Sequence, residues 1–179
     1  MNDKIWSKDF IFLITSNFLM FITYYAILSA LPIYLVTSLH ASKFQVGMVV
    51  GVYTIASVLV RPFSGFALDR FGRRTIFLLS LVLYSFFFAG YLVALGITSL
   101  LVLRFLQGLS WGFSTVSGST IAADIVPVSK RGEGMGYFSL STTLGMSVGP
   151  VIGLYLSHNW GYTAMFVSGI LVSFASLGF

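Results

Sequence analysis

With 179 residues, 57% hydrophobic, 17% aromatic and 8% charged, and a mean hydropathy of +0.95, the chain is far too apolar for a soluble domain, which carries roughly 25% charged residues. Its net charge of +5 would suggest a nucleic-acid partner in a soluble protein, but the basic residues border apolar runs of membrane-spanning length, so positive-inside asymmetry accounts for them instead. The absence of cysteine excludes disulfides and thiolate metal sites.

The opening residues Met1 to Asp9 mix charges. The apolar run behind them is too long for a signal-peptide core and has no clear small-residue cleavage site, which predicts a retained first membrane helix over 10–36. Asn17 lies in its middle, with Tyr24 on nearly the same face, Tyr25 beside it and Pro32 near the outer end. An amide in hydrocarbon needs a partner, so Asn17 faces other helices; a bond to a neighbouring helix and a bond to a substrate both stay open. A second span is predicted over 45–68, where Arg61 either snorkels toward the cytoplasm or lines a cavity.

The stretch Gly65-Phe66-Ala67-Leu68-Asp69-Arg70-Phe71-Gly72-Arg73-Arg74 then packs four charges and two glycines between apolar runs. Asp69 ends its helix where the backbone already presents partial negative charge, so a carboxylate there needs a cation or a helix N-terminus. It reads as a paired or latched acid; the plainer reading is an ordinary basic loop. A third span is predicted over 75–95 and a fourth over 99–126. In the fourth, Arg104 either snorkels to the outer headgroups or faces inward on a wet cavity, with Gln107 and Gly108 on its face. Asp124 closes that span, within reach of Arg73, Lys130 and Arg131 as cations.

The fifth span, 134–157, carries Gly145, Gly149 and Gly153 as a smooth stripe containing Pro150. Generic small-residue packing is the plain reading of that spacing, and of Gly47 with Gly51 and Gly108 with Gly112. The sixth, 162–179, has no room to finish. Ala164 to Phe179 rises only about 24 Å against a hydrocarbon core of about 30 Å, so this last helix reads as truncated.

Lys4 and Lys8 precede span one, Arg70, Arg73 and Arg74 follow span two, and Lys130 and Arg131 follow span four; the alternate loops hold Lys43, His40 and His158. The heavily basic loops share one side, which predicts a cytoplasmic N-terminus. The two histidines stand alone, as interfacial residues and not as metal ligands. Arg61-Pro62-Phe63-Ser64-Gly65 is echoed by Gly149-Pro150-Val151-Ile152-Gly153, and Thr54 with Thr142 falls under the same offset. The echo makes the first three spans and the second three inverted repeats, an arrangement found in transporters.

Gly65-x-x-x-Asp69-Arg70-x-Gly72-Arg73-Arg74, Arg104-x-x-Gln107-Gly108 and Gly145-x-x-x-Gly149-Pro150-x-x-Gly153 together resemble the three signatures of the major facilitator superfamily, in its order and on its helices. The resemblance implies an all-α transmembrane fold, a six-helix bundle of two inverted three-helix repeats that forms the N-terminal half of a twelve-helix transporter. It implies that Asp69 docks on a helix N-terminus in the other half, and that Arg73 bridges to the acid at the cytoplasmic end of the fourth helix, here Asp124. It also puts Arg104 in the central cavity, tied to proton coupling, with Gln107, Gly108, Asn17 and Tyr24 around it. The third signature belongs mainly to exporters, although Leu154 stands where the family has a second glycine. Asn17 with Leu31-Pro32 resembles the first helix of drug exporters, but span one has no acid.

The implied function is secondary active transport by alternating access, as proton-coupled efflux of small molecules across the cell membrane. Small-molecule substrate, protons, the lipid bilayer and a C-terminal six-helix half are the implied partners, with no cofactor, metal or nucleic acid. An importing symporter of the same fold and a non-transporting membrane scaffold are the alternatives. An enzyme is disfavoured, because no nucleophile–base pair, metal cluster or dinucleotide loop stands at working spacing.

Overall fold

The computed structural model describes residues 5–94 and 96–177. Lys4, the end of the third span at Leu95 and the end of the sixth at Phe179 lie outside the described residues. The helices are α1 (Lys8–Leu39), α2 (Lys43–Leu59), α3 (Arg61–Phe71), α4 (Arg73–Ala89), α5 (Ile97–Ile125), α6 (Arg131–Asn159) and α7 (Gly161–Ala175). A 3-10 turn, Gly90–Leu92, extends α4, and another, Val128–Lys130, leads into α6.

Local chemistry accounts for the boundaries. The Ser7 hydroxyl accepts from the Phe10 N–H at 3.2 Å, and Asp9 in the first turn suits the positive end of α1. Ser42 and Gln45 form a reciprocal capping box at the start of α2, with contacts of 2.8 and 3.3 Å. His40 ends α1 in the left-handed conformation at φ 51°.

The predicted second span is two helices, not one: α2 and α3 are bent by 48° at Val60. Pro62 has no N–H to continue the ladder, so hydrogen bonding restarts from the Val60 carbonyl, which accepts from Phe63 and Ser64. Pro150 and Pro32 sit inside unbroken helices, so the Pro62/Pro150 echo in the sequence is not an echo in the backbone. Gly72, at φ 86° and ψ 141°, separates α3 from α4 in a conformation that favours glycine.

Among the described residues, three helices are both long and apolar enough to cross a membrane: α1, α4 with its extension to Leu92, and α6 with its lead-in from Val128. The bent α2–α3 pair makes a fourth. Helix α5 has the length, 29 residues, but holds Arg104, Gln107, Ser110, Ser114 and Ser117 in the interior of the bundle. Helix α7 has 15 residues, a rise of about 22 Å.

Packing maps onto itself when the first three spans are exchanged with the second three. Helix α1 lies on α6 as α2 lies on α5, α4 lies on α5 as α7 lies on α1, and α4 meets α7. The closest crossings use glycine. A Cβ at Gly145 would stand 2.6 Å from Phe21 Cβ, one at Gly149 2.7 Å from Tyr25 Cβ, and one at Gly153 would strike the Ala26 backbone. Gly108 and Gly112 meet Tyr53 and Ser57 of α2 in the same way. Gly47 and Gly51 meet nothing, so the packing role expected for that pair is absent within this bundle.

Candidate functional site

Two groups of polar residues stand out against the apolar helices, one at the Asp69 end of the bundle and one at mid-depth. At the first, Gly72 ends α3 and lets Arg73 begin α4, directed toward α5. There it forms an ion pair with Asp124, near the C-terminus of α5. The carboxylate lies at the negative end of one helix and the guanidinium at the positive end of another, so each charge offsets the other where its own helix disfavours it. The side chains are 42% and 46% exposed, and such a pair contributes about 0.2–1 kcal/mol. It can therefore be broken cheaply. Asp9, Ser16, Arg74 and Phe77 join the pair around a cavity of about 300 Å³.

Asp69 is exposed and makes no ion pair among the described residues, so the pairing read from the sequence is not made within this bundle. The reason is the break at Gly72: Arg73 is not a further turn of the same helix, and Asp124 takes it. Arg70 lies over the rings of Phe66 and Phe71, at 5.9 and 5.6 Å. Lys130 and Arg131 make no ion pair with Asp124, and Gly65 has open space beside it. Arg61 is exposed at the first position of α3.

At mid-depth Arg104 is 1% exposed. Neither outward snorkelling nor the wall of an open cavity describes it, because α2 and the turn after α4 close over it. Its guanidinium lies 5.2 Å from the Tyr53 ring centre and 5.7 Å from that of Tyr91. The Tyr91 hydroxyl donates to Gln107 Oε1 at 2.8 Å. The three guanidinium nitrogens and Gln107 Nε2 have no hydrogen-bond partner among the described residues. Gly108, one residue on, lets the Tyr53 backbone approach, and so brings the Tyr53 ring to the cation.

Asn17 bonds a neighbouring helix: its amide donates to Ser141 and Thr142 on α6, both at 2.9 Å. Tyr24 faces elsewhere, 4.4 Å from Trp111 and 5.0 Å from Tyr53 by ring centres, so the two residues do not form one wall. Tyr53, Tyr91 and Trp111 were not singled out by sequence reasoning. The available signal was chemical: a cation kept in hydrocarbon without an acid needs aromatic faces. Gly145, Gly149 and Gly153, with Pro150 among them, form the contact face of α6 on α1 and touch neither polar group.

Comparison with known proteins agrees with this architecture. The family profile described as Major Facilitator Superfamily matches residues 13–179. Multidrug resistance protein 1 of Bacillus subtilis is 30% identical over 148 residues, covering 82% of this chain and 37% of that protein. MFS antiporter QDR3 of Candida albicans is 31% identical over 131 residues, covering 73% of this chain and 19% of its own. Quinolone resistance protein NorA of Staphylococcus aureus is 26% identical over 174 residues, covering 96% of this chain and 45% of its own. The chain thus spans less than half the length of each of these relatives.

Proposed function

The chain belongs to the major facilitator superfamily of membrane transporters, and from that membership we propose that it forms the N-terminal bundle of an exporter that exchanges small amphipathic molecules for protons. A second six-helix bundle completes the machine, the substrate lies between the two near the bilayer midplane, and rocking of the bundles gives alternating access. The N-terminus is cytoplasmic, with the basic loops on that side. The relatives named for drug resistance and antiport support efflux as the direction.

The observation that carries this reading is the Arg73–Asp124 pair beside an exposed Asp69 that has no ion pair among the described residues. The pair ties α4 to α5 and leaves one carboxylate free to dock on the second bundle, which gives a latch that forms in one conformation and opens in the other. Arg104 and Gln107, buried without acceptors for their N–H groups among the described residues, supply the group whose pairing changes during the cycle.

The test is efflux from liposomes holding the intact transporter, driven by a pH jump. Arg73→Asp and Asp124→Arg each abolish flux, and the double exchange restores a substantial part of it. Asp69→Asn cuts flux with membrane insertion intact. Full activity in either Arg73→Asp or Asp69→Asn refutes the latch, and flux that runs with the proton gradient instead of against it identifies an importer.

A further inference from the structure

Helix α3 buries Ser64 and Leu68, half-buries Ala67 and leaves the rest of its surface uncovered. Two different stripes run along that surface. Gly65 and Asp69, four residues apart, form one, and Phe63, Phe66 and Arg70 form another, around the side of the helix. On the second stripe and just beyond it, Phe63, Phe66 and Phe71 are 68%, 66% and 58% exposed. Arg70 lies against two of those rings, and no carboxylate pairs with it among the described residues.

Neither bulk solvent nor hydrocarbon suits this face. Three phenyl groups left in water forgo about 1.5–3 kcal/mol each, and a guanidinium at the bilayer centre costs at least about 2.5 kcal/mol. The boundary between acyl chains and phosphates satisfies both. The 48° bend at Pro62 sets the direction of this helix independently of α2, and the nearby charges complement an anion: Arg61, Arg70 and Arg74 are exposed and make no ion pair among the described residues, while Asp69 lies on the other stripe.

We propose that the Phe63–Phe66–Arg70–Phe71 face is a docking surface for an anionic phospholipid in the leaflet bordering this end of the bundle. Arg70 takes the headgroup phosphate, held in place by the rings of Phe66 and Phe71, and the three rings lie among the upper acyl carbons.

The experiment uses the intact transporter in vesicles containing brominated phosphatidylglycerol or brominated phosphatidylcholine. A Phe63→Trp variant is read against the unsubstituted protein, whose tryptophans give the background; Phe66→Trp serves in the same way if the first does not insert. The added fluorescence is quenched about fivefold more effectively by the brominated anionic lipid. Arg70→Gln brings that ratio to about one while quenching by both lipids persists. Absence of quenching by either lipid, because protein or water covers the face, overturns the proposal. So does equal quenching by both lipids with Arg70 present, or a preference that survives Arg70→Gln.

Discussion

Arg104 is the residue whose energetics are least balanced. Cation–π contact with Tyr53 and Tyr91 contributes on the order of 2 kcal/mol per ring, whereas a buried ion with no acceptor among the described residues costs at least several kcal/mol. The penalty wins, so stability alone does not account for the guanidinium at this position. Arg104→Met is expected to leave thermal stability in detergent unchanged or raise it by up to about 2 kcal/mol, with transport lost. A fall of more than about 1 kcal/mol would show instead that an acceptor pairs with it in the folded protein. That Arg104 lies in an apolar span was plain from the sequence; its burial and its two aromatic partners were not. Tyr53 and Tyr91 come from other elements, and helical spacing orders only residues on the same helix.

At the scale of the helix, glycine at similar spacing has two different meanings. Gly153 lies against the Ala26 backbone, Gly108 against the Tyr53 backbone, and Gly47 against nothing. Gly153→Ala therefore pushes α6 off α1 and costs about 1–3 kcal/mol, while Gly47→Ala stays within about 0.5 kcal/mol of the parent. Thermal unfolding of both variants in one detergent checks the contrast, and equal losses would place the α1–α6 crossing elsewhere. Proline divides in the same way. Pro62 ends a ladder and bends the span by 48°, whereas Pro150 is carried within α6. Local sequence could not separate the two, because in both cases the proline lies inside a predicted span and a glycine follows three positions later.

For the whole bundle, the Arg73–Asp124 pair matters more as a movable contact than as a brace. A double-mutant cycle with Arg73→Ala and Asp124→Ala should return a coupling of less than about 1 kcal/mol in stability, because both side chains are more than two-fifths exposed. Flux in the same variants should fall by far more than that coupling accounts for. A coupling of several kcal/mol would make the pair structural and its role in a latch superfluous.

The sequence by itself determined which segments are helical and which few charges interrupt them, though not the break at Val60 within the second span, because hydrophobicity, capping residues and glycine act over a turn or two. It also carried the resemblance to the superfamily whose profile matches residues 13–179. The Arg73–Asp124 bridge implied by the resemblance is made, but only the tertiary structure decided that Asn17 bonds α6, that Asp69 has no ion pair among the described residues, and that Arg104 lies closed between two tyrosines. Those outcomes depend on how closely neighbouring helices approach and at what rotation, and that is set by the shape of whole faces packed together, which no local pattern encodes.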